Sequence, residues 1–158
     1  MAERIGFRGH IEIIAPASRE IDRGTNKIMN AGLAAIVDAL QASANLSGFK
    51  YIGYGTVGNT TTGAEAGLSA ELSGGGYTRC LATQGEGPSP LDYKLSAMDW
   101  INATGSTKVI REVAIFNQTS GGTPLARSCT TDNGWTEKSI DNGQNLTINS
   151  WTVSLSAV

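Results

Sequence analysis

Ile5-Gly6-Phe7-Arg8-Gly9-His10-Ile11-Glu12-Ile13 decides the fold class of this chain. Its odd positions read Ile, Phe, Gly, Ile, Ile, and the even positions between them read Gly, Arg, His, Glu. A period of two puts the apolar side chains on one face of a strand and the polar ones on the other, as in an antiparallel sheet with one wet face. Ala15-Pro16-Ala17-Ser18 supplies turn residues, and Glu20 to Ile28 then returns as the second, more polar strand of a hairpin.

The same grammar recurs along the chain. Strand character marks Phe49 to Tyr54 and further runs at about 77 to 84, 92 to 101, 108 to 117, 124 to 130 and 145 to 156. Turns come from Pro88-Ser89-Pro90, Gly105-Ser106 and Ser120-Gly121-Gly122. One segment has a different period. After Asn30, Leu33, Ile36, Val37 and Leu40 follow three-and-four spacing among Ala31, Ala34, Ala35 and Ala39, which predicts a helix of about three turns over residues 30–42. It gives out in Ser43 to Gly48, and its apolar stripe is suited to plug one end of a sheet. Leu68 and Leu72 predict a single helical turn ended by Gly74-Gly75-Gly76. These segments predict a mainly β chain, residues 1–158 forming one domain of about eight strands and one helix. Two antiparallel sheets packed face to face, in a jelly-roll or Greek-key sandwich, satisfy them.

The last strand adds a conflict. Leu146 and Ile148 share one phase, whereas Trp151, Val153 and Leu155 share the other. A bulge near Asn149-Ser150, or a strand crossing from one sheet to another, reconciles them. An intersubunit seam through Trp151, Val153 and Leu155 is the other way to hide both sets.

Composition bounds the function. The chain has 158 residues, 40% of them hydrophobic and 16% charged, with 20 glycines and a formal net charge of -2. That is a turn-rich globular composition, and its scattered Lys and Arg form no basic face suited to nucleic acid. Met1-Ala2-Glu3-Arg4 opens no signal-like apolar run and no stretch reaches the roughly 20 apolar residues of a membrane span, so a soluble protein made in a cytoplasm is expected. Cys80 and Cys129 lack metal-type spacing and are expected as buried free thiols rather than a disulfide.

Few residues suggest chemistry. His10 is the single histidine, lies on the polar phase of the first strand, and has no ligand-spaced companion. Gly53-Tyr54-Gly55-Thr56-Val57-Gly58 lacks the lysine of a phosphate-binding loop and is expected to span two sheets. Glu65 with Glu71, or Asp92 with Asp99, are the carboxylate pairs a glycosidase would need, with solvated side chains as the ordinary alternative. Asp132, Asn133, Asp141 and Asn142 make an oxygen-rich set without calcium-loop spacing. Trp100 and Trp151 lie in strands and are expected in packing, while Trp135 sits in a loop. No catalytic residue, metal or cofactor is expected.

Several segments occur in a familiar order: Gly9-His10-Ile11-Glu12-Ile13, Asn30-Ala31-Gly32-Leu33, Tyr51-Ile52-Gly53-Tyr54-Gly55-Thr56, and Ala66-Gly67-Leu68 through Glu71-Leu72 to Tyr77-Thr78-Arg79. Ile110 to Asn117, Gly121 to Arg127 and Leu146 to Val153 complete it. In this order and spacing the chain resembles small virion structural proteins of tailed bacteriophages, over most of its length. The resemblance implies a place on the head, as a decoration or cement protein, or in the tail or fibre region. A head decoration protein is expected to bind the major capsid protein and, at threefold capsid positions, to form a homotrimer within the virion. A receptor- or carbohydrate-binding module of a tail fibre or baseplate is the alternative, with exposed loops at Asn59, Thr60, Thr61 and Thr62 and at Asn133 and Trp135.

Overall fold

The computed structural model describes residues 5–14, 21–40, 48–89 and 91–157. In chain order they form β1 (Ile5–Ile14), β2 (Ile21–Thr25), β3 (Lys27–Ile28), α1 (Asn30–Leu40), β4 (Tyr51–Gly55), β5 (Cys80–Leu81) and β6 (Thr83–Glu86). Then follow β7 (Asp92–Ile101), β8 (Lys108–Ile110), β9 (Glu112–Phe116), β10 (Pro124–Cys129), α2 (Thr130–Asn133), β11 (Lys138–Ile140) and β12 (Asn145–Ala157). The chain is mainly β, with two antiparallel five-stranded sheets in the orders β2-β1-β12-β7-β6 and β3-β10-β9-β4-β5, and a two-stranded ribbon of β8 and β11. The expected turn at Ala15 to Ser18 and the end of the helix beyond Leu40 lie outside the described residues.

The period of two in β1 is realised as Ile11 and Ile13 in the core, with exposed His10 and half-buried Glu12 on the other face. β1 pairs with β2 as the predicted hairpin and, on its other side, with β12. Core residues come from both large sheets: Ile11, Ile13, Leu95, Met98, Trp100, Ile148 and Trp151 from the first meet Ile52, Tyr54, Val113, Ile115 and Ala126 from the second. This is sheet-on-sheet packing in a sandwich-like arrangement.

Both margins of the pair of sheets are turned by strands that change sheet. β2 in the first sheet continues through Asn26 into β3 in the second, and β5 in the second continues through Ala82 into β6 in the first. At the first corner the Asn26 amide donates to the Gly9 carbonyl at 3.2 Å. A Cβ at Gly9 would lie 1.6 Å from Asn26 Oδ1, so any side chain there requires the Asn26 carboxamide to move. At the second, the Ala82 amide donates to the Lys50 carbonyl at 2.8 Å.

The phase conflict of the last strand is resolved by a bulge. Glu12 lies opposite Ser150 but Ile13 lies opposite Ile148, leaving Asn149 as the extra residue. β7 changes phase in step: Leu146 faces Trp100, Ile148 faces Met98 and Trp151 faces Leu95, and all six side chains are buried. Trp151 and Val153 are therefore buried within the single chain, as the bulge alternative required; the Leu155 side chain lies outside the described residues.

α1 is the one helix longer than a turn among the described residues. Half-buried Leu33 and Ile36 pack against the core, whereas the Val37 and Leu40 side chains lie outside the described residues. The helix approaches β10 so closely that a Cβ on Gly32 would meet the Leu125 carbonyl oxygen at 2.6 Å. The turn of helix expected at Leu68 to Leu72 is absent. The open margin of β4 captures this segment instead: Thr56 N donates to Ala70 O at 3.1 Å, Leu72 N to Tyr54 O at 2.9 Å, and Glu71 bridges Gly55. The run at 108–117 is broken at Arg111, whose amide bonds Gly55 and whose carbonyl accepts from Thr130, and β11 is a strand the sequence pattern did not announce.

Candidate functional site

β9 and β10 are buried at every position, so each has a covered outer face as well as a core face. Val113, Ile115 and Ala126 point into the core; Glu112, Ala114, Phe116, Arg127 and Cys129 alternate with them. On the neighbouring strand the outward positions are Gly53, paired with Ala114, and Gly55, paired with Glu112. The segment 56–79 folds back over this face. It lies against the sheet because the two glycines leave room: a Cβ at Gly53 would stand 2.9 Å from the Phe116 ring, and one at Gly55 would stand 2.4 Å from Glu112 Oε1. The expected loop at Gly53 to Gly58 is thus the end of a strand, and the loop begins only at Thr56.

Two arginines fasten this layer. Arg127 and Glu112, each with 0% of the side chain exposed, form an ion pair in which Arg127 Nη2 and Nε donate to Glu112 Oε2 at 2.5 and 2.9 Å. Arg127 also donates to Thr61 Oγ1 and to Ser69 Oγ, both at 3.0 Å, while the Ser69 and Ala70 amides donate to Glu112 at 3.0 and 2.8 Å. A buried charge survives only when paired and saturated with hydrogen bonds, and here the loop supplies the missing partners. Arg79 repeats the device. It grips Glu71 with Nε and Nη2 at 2.6 and 2.7 Å, caps the Gln118 and Gly121 carbonyls with Nη1, and lies 3.5 Å over the Phe116 ring.

The two loops expected to be exposed meet at one end of this layer. The Thr61 amide donates to Asp132 Oδ2, Thr131 Oγ1 donates to the Gly58 carbonyl, and Lys27 Nζ reaches the Thr61 carbonyl at 3.1 Å. Glu65 closes the loop on itself, accepting from the Thr62 and Gly63 amides at 2.8 and 2.9 Å and from Thr62 Oγ1 at 2.9 Å. Partial burial raises the affinity of this carboxyl for a proton, but the amide and hydroxyl donors outweigh it and bring its pKa down to about 2. Asp132 is likewise lowered, chiefly by the Thr61 amide. What faces solvent is Val57, Asn59, Thr60, Thr62, Thr131 and Asp132.

Three expected loop residues behave otherwise. Thr61 is buried, because its hydroxyl satisfies Arg127. Trp135 is buried too: Gly134 at the end of α2 turns the chain inward at φ 81°, and the indole Nε1 donates to Ser128 Oγ at 3.0 Å. Asn133 is half-buried and fixes the local backbone, accepting from the Cys129 amide and donating to Thr25 Oγ1. The surface therefore offers amides, hydroxyls and one carboxylate, with no aromatic platform from Trp135.

No protein-family model, curated protein or solved structure matches the chain. Chemistry must be read from the residues themselves. The carboxylates considered for glycoside cleavage are held singly: Glu65 by its own loop, Glu71 by Arg79, Asp92 by the Ser89 amide and Asp99 by Thr147 Oγ1. Asp92 and Asp99 stand seven residues apart on β7, roughly 23 Å at the rise of a strand. The oxygen-rich set is also divided. Asp132 and Asn133 belong to the α2 end, whereas Asp141 accepts from Thr107 and Asn142 from the Gly105 amide. Among the described residues no three His, Cys, Asp or Glu side chains gather as metal ligands. Both cysteines are free. β9 and β4 lie between their strands, three strand spacings or roughly 14 Å, too far for a disulfide.

The sequence reading raised Glu71 only as a carboxylate partner of Glu65 and did not single out Glu112, Arg127 or Arg79 for a role, although a signal existed for the buried pair. Glu112 precedes the apolar run Val113-Ala114-Ile115-Phe116, and Arg127 stands in Leu125-Ala126-Arg127-Ser128-Cys129. Opposite charges in two otherwise apolar strands call for each other.

Proposed function

We propose that this chain is a structural component of a tailed-phage virion, most specifically a decoration or cement protein that braces the head by binding the major capsid protein and further copies of itself. The resemblance of its ordered segments to such proteins is what supports the major capsid protein as the partner. The buried Arg127–Glu112 pair is the single structural observation that supports a bracing role, because it converts a long loop into a fixed second layer on the sheet. A part that must hold its shape under pressure benefits from such cross-ties. Glu71 and Glu112 are engaged by arginines and Glu65 by the amides of its own loop, which suits a load-bearing part.

Incubating the purified protein with undecorated phage heads tests this, with binding read by co-sedimentation and by density on the particle. Saturable binding in hundreds of copies supports the head reading; no binding to heads, or a few dozen copies confined to the tail, rejects it. The convergence of Asn59, Thr60 and Thr62 with Thr131 on one exposed surface favours a second reading, a receptor- or glycan-binding module of a tail fibre or baseplate. Replacing Asn59 and Thr62 by Ala and measuring adsorption to host cells distinguishes it.

A further inference from the structure

The tripeptide Asp-Asn-Gly occurs twice, at Asp132-Asn133-Gly134 and at Asp141-Asn142-Gly143. In an asparagine followed by glycine, the next backbone nitrogen can approach the side-chain carbonyl carbon, because glycine brings no Cβ to obstruct it. Both glycines are left-handed, at φ 81° and 86°. The same local chemistry therefore meets two different tertiary settings within one chain.

Asn133 is locked at both ends of its carboxamide. Oδ1 accepts from the Cys129 amide at 2.9 Å and Nδ2 donates to Thr25 Oγ1 at 3.1 Å. Turning this group toward Gly134 breaks both bonds and strands the amide of buried Cys129 without its acceptor. Asn142 is exposed, in a turn closed by the Gln144 amide on the Asp141 carbonyl at 3.0 Å. Its Oδ1 accepts from the Gly105 amide at 2.8 Å, and its Nδ2 holds no hydrogen bond among the described residues. A fixed N–H on Oδ1 lies where negative charge would develop if the carbonyl carbon were attacked. The Gly143 amide donates to the Asn102 carbonyl at 2.7 Å, so one hydrogen bond must open before that attack.

We infer that Asn142 is a site of spontaneous covalent modification by attack of its own backbone, and that Asn133 is protected from the same reaction by its two hydrogen bonds. The Gly143 nitrogen forms a bond to Asn142 Cγ and yields its proton to water. The Cγ–Nδ2 bond breaks, and Nδ2 takes up a proton and leaves as ammonia. Water then opens the five-membered imide at either carbonyl, giving aspartate or isoaspartate, with no change of oxidation state. Either product adds one negative charge to a chain of formal net charge -2. Isoaspartate also inserts a carbon into the main chain of the turn between β11 and β12, which disturbs the Gly143–Asn102 and Gln144–Asp141 bonds.

The test is to hold the purified, folded wild-type chain at mildly alkaline pH and follow both sites by peptide mapping that separates asparagine, aspartate and isoaspartate. Asn142 is expected to convert faster than Asn133 by roughly tenfold or more, the ratio set by the further hydrogen bond and the buried amide that Asn133 must give up. In guanidinium-unfolded chain the two rates are expected to converge, because only the folded structure distinguishes the two tripeptides. Equal rates in the folded chain, a faster Asn133, or an Asn142 that stays intact while the unfolded chain converts overturns the inference. So does a tenfold ratio that persists in guanidinium, which would assign the difference to the flanking residues Trp135 and Gln144.

Discussion

Replacing Arg127 by Met keeps most of the side-chain volume and removes the guanidinium. Glu112 is then left with no exposed surface and only the Ser69 and Ala70 amides, while Thr61 Oγ1 and Ser69 Oγ lose their donor. Removing one partner of a buried pair costs roughly 3 to 5 kcal/mol, because the surviving charge pays for desolvation without compensation. In a chain of this length each kcal/mol moves the melting temperature by about 2 to 4 °C, so a fall of roughly 6 to 20 °C is expected. Arg23→Ala is the control: Arg23 pairs with Glu12 at 3.0 Å but its side chain is 69% exposed, and the cost is expected at about 0 to 1 kcal/mol. The assay is guanidinium unfolding of Arg127→Met, Glu112→Gln and the double variant. If pair and loop act as one unit, the double variant loses less than the sum of the singles, and Ser69 and Ala70 amides lose hydrogen-exchange protection in Glu112→Gln. A loss under about 1 kcal/mol in Arg127→Met, or strict additivity in the cycle, refutes a load-carrying role for the pair.

Trp151→Ala empties the centre of the core between the sheets and is expected to cost roughly 3 to 5 kcal/mol in guanidinium unfolding. Gly32→Ala places a Cβ 2.6 Å from the Leu125 carbonyl oxygen, so despite the better helix propensity of alanine a net loss of about 1 to 3 kcal/mol is expected by thermal melting. Glu65 has a folded-state pKa of about 2 against an ordinary 4.5, so its contribution to loop stability is complete above 4.5 and is lost as pH falls toward 2. A carboxyl NMR titration midpoint of 4 or above contradicts the hydrogen-bonded loop. Burial, with Asp99 nearby, raises the Cys80 thiol pKa, so alkylation of Cys80 is expected to be slower than that of a free thiol at neutral pH, and buried Cys129 reacts only on unfolding. Mass spectrometry after timed alkylation reads both.

The alternation at Ile5 to Ile13 and the three-and-four spacing after Asn30 were sufficient to place the first strand, its hairpin partner and α1, because periodicity records which face of an element meets the core. The broken phase between Ile148 and Trp151 announced a bulge for the same reason, and the matching break between Leu95 and Met98 was available to be read beside it. Local pattern carries no information about what lies on the far side of a sheet. Only the tertiary structure decided that 56–79 covers the outer face of β4, β9 and β10, that Thr61 is spent on Arg127, and that Trp135 turns inward to Ser128. Each depends on partners 7 to 66 residues away in sequence, whose meeting is fixed by the packing of the sheets. Asn59 to Thr62 was legible as a loop from its composition, whereas the loop expected around Asn133 to Trp135 is preceded by the short helix α2 over Thr130–Asn133, and the union of the two segments into one surface rests on contacts between Gly58, Thr61, Thr131 and Asp132 that chain connectivity alone does not specify.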